Sequence, residues 1–87
     1  MATWAQLISA EMAAQGKSWA DVVDRTISYA EMNVEFNDGY GGTYGKPFTV
    51  WTHKRVYFPA QYDGSEWVAS VSRNPDGKPT RHVGAGG

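Results

Sequence analysis

An Asp-Gly pair between two alternating segments is the feature that most constrains how this chain can fold. Asp63-Gly64 is a dipeptide preferred in two-residue β-turns, and the residues on both sides of it are rich in aromatic and β-branched types. A two-residue turn at 53–54 and the Asn-Pro-Asp-Gly turn at 74–77 extend the pattern. The second half of the sequence therefore predicts an antiparallel meander sheet, with strands at 48–52, 55–62 and 66–73 and a short fourth strand at 78–83.

The register of the predicted hairpins assigns the side chains to two faces. A turn at Asp63-Gly64 sets Ala60 opposite Trp67, and successive residues of a strand alternate between the faces. We predict that helices cover the more apolar face, which holds Trp51, Val56, Phe58, Ala60, Trp67, Ala69 and Val71. The predicted outer face holds Phe48, Val50, Tyr57, Pro59 and Val68 among polar residues.

The first third of the sequence predicts two helices. Thr3 and Gln6 have the spacing of a capping box, and Gly16 supplies a left-handed stop after a helical apolar stripe of Trp4, Leu7, Ile8 and Met12. A second helix is predicted to begin at the N-cap Ser18, with the stripe Trp19, Val22, Val23 and Ile27. The expected fold is α+β, with two N-terminal helices packed on one face of a three- to four-stranded antiparallel meander sheet. We expect a single domain over residues 1–83 and a flexible glycine-rich tail at 84–87.

Composition narrows the class of protein. The 87 residues suffice for one core, which the four Trp, five Tyr and three Phe can fill. The sequence has no cysteine, no apolar run long enough to span a membrane and no signal-peptide pattern at its start, which together predict a cytoplasmic protein.

The charge of the chain is divided between its halves. Residues 1–45 carry six acids against two bases, and residues 46–87 carry six bases against three acids, for a formal net charge of −1. A net charge near zero argues against general affinity for nucleic acid, which needs a basic excess. A nucleic-acid-binding module remains an alternative, and it would use the basic residues Lys54, Arg55, Arg73 and Arg81.

The motifs that suggest a calcium site, a phosphate site or a catalytic serine do not match the patterns that these sites require. The oxygen-rich run at 33–44 has its glycine one position late for a calcium loop, and Tyr44 stands where a bidentate acid is needed. The glycine-rich run at 39–47 ends in Pro47 and a strand, whereas a phosphate loop leads into a helix. The serines have no recognisable base nearby. We therefore expect no cofactor, no metal and no enzymatic activity.

A protein-binding surface is the remaining candidate. Tyr40 and Tyr44 lie in the glycine-rich loop, close in sequence to the acids Glu31, Glu35 and Asp38. Large amphipathic rings add contact area at low entropic cost, and the acids would match a basic groove on a partner. A second candidate surface is the predicted outer sheet face around Tyr57, which a symmetric homodimer would cover.

Four short sequence runs resemble those of a known group of proteins. They are Phe36 to Thr52, Val56 to Pro59, Tyr62 to Val68 and Asn74 to Gly77. In these runs the sequence resembles small uncharacterised proteins of tailed-phage and prophage genomes, over nearly the whole chain. The resemblance carries no functional residues. It implies a context in which short accessory proteins bind and disable a host protein, and for a phage-encoded protein the predicted cytoplasmic location would be the host cytoplasm.

The leading functional hypothesis is a non-catalytic phage-type accessory protein that binds and inhibits a host protein. The partner would be a host protein, such as a nucleic-acid-binding defence protein, and the activity would be of the anti-CRISPR or anti-restriction kind. Alternatives are the nucleic-acid-binding module and a homo-oligomeric structural or assembly component. The predicted binding residues are Glu31, Glu35, Asp38, Tyr40, Tyr44 and Tyr57.

Overall fold

The computed structural model describes residues 2–37, 45–62 and 65–83. Its helices are α1 (Trp4–Ala14) and α2 (Tyr29–Met32), and its strands are β1 (Val22–Arg25), β2 (Val50–Thr52), β3 (Arg55–Tyr62) and β4 (Ser65–Ser72). The four strands form one antiparallel sheet in the order β1-β2-β3-β4. The predicted α+β class with an antiparallel meander sheet is confirmed.

Helix α1 begins and ends where the sequence predicts. The Thr3 hydroxyl accepts the Gln6 backbone N–H at 3.2 Å, and the Gln6 side-chain oxygen accepts the Thr3 backbone N–H at 3.1 Å. At the other end Gly16 has a φ of 70°, and the Lys17 N–H donates to the Met12 carbonyl at 2.8 Å. This left-handed closure satisfies carbonyls that the last turn would leave unpaired.

The predicted second long helix is wrong. A single 3-10 turn (Trp19–Asp21) follows Ser18, and the chain then enters β1, which pairs with β2 at the edge of the sheet. The β-branched pair Val22-Val23 favours an extended backbone, and a short helix gains little unless its apolar stripe is buried. Edge pairing gives this segment ladder hydrogen bonds, so it becomes the strand that the sequence analysis missed.

The predicted strand at 78–83 is also absent from the sheet. Residues 73–83 are exposed and form no ladder in the described part of the chain. Strand β4 is therefore an edge strand, and residues 78–83 border a groove beside it.

The predicted register is correct, but the predicted choice of covered face is wrong. Ala60 pairs with Trp67, Phe58 with Ala69, and Val56 with both Val71 and Trp51, as the turns indicated. Yet α1 packs on the other face, where its buried residues form one cluster with residues of the sheet. That cluster contains Trp4, Ile8 and Met12 of α1 together with Val50, Tyr57 and Val68.

The core is completed from the segment between α1 and β2. Phe36 and Phe48 pack against Trp4, with ring centroids at 4.6 and 4.9 Å from the indole. Ile27 and Met32 are buried in the same cluster. The backbones of Ala2 and Phe36 exchange hydrogen bonds of 2.9 and 2.8 Å, which tie the beginning of α1 to this segment. We refer to the α1-covered side of the sheet as the inner face and to the other side as the outer face.

Candidate binding surfaces

The predicted acidic segment is described in part. Glu31 and Glu35 lie within the described residues, whereas Asp38, Tyr40 and Tyr44 lie outside them. Glu31 caps its own helix, because its carboxylate accepts the Ser28 backbone N–H at 2.9 Å, and it also forms an ion pair with Lys46. Glu35 is exposed. Glu31 therefore stabilises the start of α2 and pairs with Lys46, whereas Glu35 is exposed to solvent.

Two apolar side chains that the sequence analysis did not select stand beside these acids. Tyr29 is 74% exposed and Val34 is 63% exposed, the two highest values among the large hydrophobic residues that the structure describes. Of the four residues of α2, only Met32 is buried. The signal in the sequence was an apolar residue shortly before each acid, Tyr29 before Glu31 and Val34 before Glu35, in a segment without a helical or strand period.

Tyr57 is not part of any exposed surface, so its selection as a binding residue is wrong. Its side chain is 0% exposed and belongs to the core cluster. The hydroxyl has no hydrogen-bond partner among the described residues. Burial raises the pKa of Tyr57 above its ordinary value; the charge of Arg55 opposes this shift, and the charges of Glu11 and Asp21 add to it.

The inner face remains covered despite its polar residues because these residues have partners. Arg55 donates to the Ser70 hydroxyl from Nη2 at 2.9 Å, and that hydroxyl donates to the Glu11 carboxylate of α1 at 2.7 Å. At the other end of β4, the buried Glu66 accepts the Gly45 backbone N–H at 3.1 Å. The sequence analysis predicted that these polar residues of β3 and β4 face solvent. They lie instead on the inner face, where they join α1 and the 45–49 segment to the sheet.

The outer face is a continuous apolar surface. Its large side chains are half-buried, and none of them belongs to the core cluster that α1 forms. Two small residues lie between them: Ala60 is 8% exposed and Ala69 is 9% exposed. The apolar residues at the centre of this face are Trp51, Val56, Phe58, Ala60, Trp67, Ala69 and Val71. Asp24, Tyr62 and Ser65 lie on the same side at its margins. A contiguous apolar surface that no other element of the described chain packs into the core is a candidate interaction site.

Of the basic residues of the nucleic-acid alternative, Arg55 is half-buried, whereas Lys54, Arg73 and Arg81 are exposed. The guanidinium of Arg55 is held by Ser70, and Arg73 donates from Nη1 to the Thr52 carbonyl at 3.0 Å. Lys54 is exposed beside Arg73, whose backbone N–H donates to the Lys54 carbonyl at 2.9 Å, whereas Arg81 lies in the exposed 78–83 segment. Binding of nucleic acid through these residues stays a prediction.

The concave sites are shallow. The groove between β4 and residues 78–83 has a volume of about 390 Å³, and it is lined by apolar outer-face residues together with charged residues such as Glu11 and Arg55. Within residues 2–37, 45–62 and 65–83, no three His, Asp or Glu side chains are grouped so that they could share a metal ion. No helix in the same ranges has both the length and the apolar character needed to cross a membrane.

Comparison with known proteins gives no match. No protein-family model, no curated protein and no solved structure matches the chain. Its class therefore rests on the fold itself, an antiparallel α+β sheet with one substantial helix on one face.

Proposed function

We propose that the chain is a non-catalytic phage-type accessory protein that binds a host protein and inhibits it, in the manner of an anti-CRISPR or anti-restriction inhibitor. The contact surface in this proposal is the acidic segment that begins at α2, with Tyr29, Val34 and Glu35 as its described members. Asp38, Tyr40 and Tyr44 would extend it along the chain.

The observation that carries the proposal is the exposure of Tyr29 and Val34. Leaving two large apolar side chains in water forgoes the burial energy of about 1.5–3 kcal/mol that such a side chain gains when it is covered. A partner that covers both recovers that energy at the interface. Aromatic residues at the centre of an interface contribute most of its binding free energy, so Tyr29 is the expected anchor.

Charge supports a basic partner surface. The first 45 residues carry the acidic excess, and Glu35 is exposed beside Val34. Complementary charge at the rim raises the association rate and the specificity more than the affinity. Host proteins that bind nucleic acid have basic grooves, and an acidic inhibitor would occlude such a groove sterically and electrostatically.

The proposal is tested by capture from a bacterial lysate and by the activity of what is captured. The immobilised chain is compared with a variant carrying Tyr29→Ser, Val34→Ser and Glu35→Gln, and bound proteins are identified by mass spectrometry. The expected result is a protein that the unaltered chain retains and the variant loses. Addition of the free chain should then lower the nucleic-acid-binding or nuclease activity of the purified partner.

A matched control carries Val83→Ser and Asp76→Asn. It removes one exposed apolar side chain and one negative charge at positions outside the acidic segment, and the amide oxygen introduced at position 76 can still accept the Lys78 N–H. This control should retain the partner. Equal capture by all three proteins would remove the acidic segment from consideration, and capture without inhibition would refute the inhibitory role.

A further inference from the structure

The strand register fixes where large and small side chains alternate on the outer face. Phe58 on β3 lies opposite Ala69 on β4, and two residues further along the hairpin Ala60 lies opposite Trp67. The two rings therefore occupy one diagonal of a four-residue rectangle, and the two alanines occupy the other diagonal. Since the rings stand above the sheet and the alanines are nearly buried between larger neighbours, the face alternates projections and hollows.

We infer that a second copy of this chain covers the outer face, packed sheet to sheet around a two-fold axis lying in the plane between the sheets. If that axis runs along the strands, it places Phe58 over Ala69 of the second copy and Trp67 over Ala60. If it runs across the strands, it places Phe58 over Ala60 and Trp67 over Ala69. Both rotations set the two rings over the two alanines, so these four positions are self-complementary under the symmetry that homodimers use.

The chemistry of the face also fits a second copy. None of the seven apolar positions carries a charged side chain, and Asp24, which pairs with Trp51, lies at the β1 edge of this face. The centre of the face therefore offers no charge that would select a partner. Homodimer interfaces are more apolar than transient ones, and apolar sheet faces pack against each other about 10 Å apart with interdigitating side chains.

The area is sufficient for reversible association. Strands β3 and β4 are eight residues long. They give a face about 26 Å by about 10 Å in plan, and the three residues of β2 widen it to about 15 Å over part of its length. Every large side chain of the seven is only partly exposed, so two copies bury no more than about 800 Å² in total, the size of a weak and concentration-dependent contact. The inference is independent of the proposed function, since Tyr29, Val34 and Glu35 lie outside the sheet.

Sedimentation velocity over a range of concentrations tests the inference directly. The expected result is a reversible shift from the 9.6 kDa monomer towards twice that mass. Ala69→Phe fills one hollow with a ring, so projections meet, and the dissociation constant should rise by at least about tenfold. Ala13→Phe, the same change at an exposed position of α1, should leave association unaltered. If Ala69→Phe fails to fold by circular dichroism, Trp67→Ser replaces it and should weaken association by removing a projection.

Two double variants then determine the direction of the axis. Phe58→Ala with Ala69→Phe moves a projection across the hairpin, and it should restore the dimer only if the axis runs along the strands. Phe58→Ala with Ala60→Phe moves the projection along β3, and it should restore the dimer only if the axis runs across the strands. A chain that stays monomeric at every concentration, a dimer that tolerates Ala69→Phe, or a failure of both double variants would each overturn the inference.

Discussion

The two faces of the sheet differ in a way that reverses the usual rule about apolar surfaces. The centre of the outer face holds large apolar residues, and the charged Asp24 lies only at its β1 edge beside Trp51, yet α1 does not cover this face. The inner face carries Arg55, Glu66 and Ser70 among its apolar residues, and it is the covered one. The difference teaches that a face is covered when its polar groups find partners on the covering element, and that the number of apolar residues alone does not decide this.

Replacing Trp4, which α1 contributes to the core under the inner face, and Trp67 of the outer face should give the largest difference in stability. Trp4→Ala removes the indole that contacts Phe36 and Phe48 and that donates to the Lys46 carbonyl at 2.9 Å. It should lower the free energy of unfolding by about 3–5 kcal/mol. The matched change Trp67→Ala on the outer face should cost about 1 kcal/mol or less when the chain is monomeric.

Urea unfolding of both variants at low protein concentration measures this contrast. If the two losses are equal, the distinction between a covered and an uncovered face is wrong. If Trp67→Ala becomes costly only at high protein concentration, the outer face is stabilised by association.

Substitution of Gly45, which lies where the 45–49 segment meets the inner face, should have an intermediate effect on the free energy of unfolding. A Cβ atom at Gly45 would lie 2.3 Å from Cζ2 and 2.8 Å from Cε2 of the Trp4 indole. Gly45→Ala should therefore lower the free energy of unfolding by about 1–3 kcal/mol through overpacking.

A double-mutant cycle with Trp4→Phe, read by urea unfolding, isolates this contact. Phenylalanine lacks the indole atoms that the new methyl group would meet, so Gly45→Ala should cost less in that background. Equal costs in both backgrounds would show that the contact with Trp4 is not the cause.

The buried hydroxyl of Tyr57 should give the smallest effect and the opposite sign. Since this group has no partner among the described residues, Tyr57→Phe should raise the free energy of unfolding by about 1 kcal/mol. Because burial raises the pKa of Tyr57, the neutral hydroxyl is favoured in the folded state, and the unfolded chain loses the proton first as the pH rises above about 10.

The unaltered chain should accordingly lose stability above that pH, and the advantage of Tyr57→Phe should grow there. Thermal unfolding between neutral pH and pH 11 measures both effects, with the exposed Tyr62→Phe as the control. A Tyr57→Phe variant that is less stable at neutral pH, or an advantage that does not grow with pH, would contradict this assignment.

Local patterns in the sequence predicted much of the fold. The capping box at Thr3, the stop at Gly16 and the register around Asp63-Gly64 depend on neighbouring residues, and the structure has the first two and the register of β3 with β4. The conversion of 22–25 into a strand depends on pairing with β2, which lies 25 or more residues further along the chain. A sequence pattern read one segment at a time does not contain that pairing.

The candidate sites were less predictable than the fold. The covered face is joined to α1 by hydrogen bonds such as Ser70 to Glu11, whose residues lie 59 positions apart, and a pattern read within one segment does not contain such a contact. Because the sequence analysis predicted the wrong covered face, it placed Tyr57 on the surface and placed Trp67 and the other outer-face residues in the core. The exposure of Tyr29 and Val34 depends equally on what does not pack against α2, and only the tertiary structure shows it among the described residues.

The packing of α1 on β4 also bears on how the domain forms during translation. The helix is synthesised first, but the strand on which it packs lies about fifty residues later. Until β4 leaves the ribosome, Trp4, Ile8 and Met12 have no sheet to dock on, and the nascent chain carries a helix with an uncovered apolar stripe. A stop codon placed before residue 65 should consequently yield a chain that aggregates or is degraded, even though its first helix keeps both of its end signals.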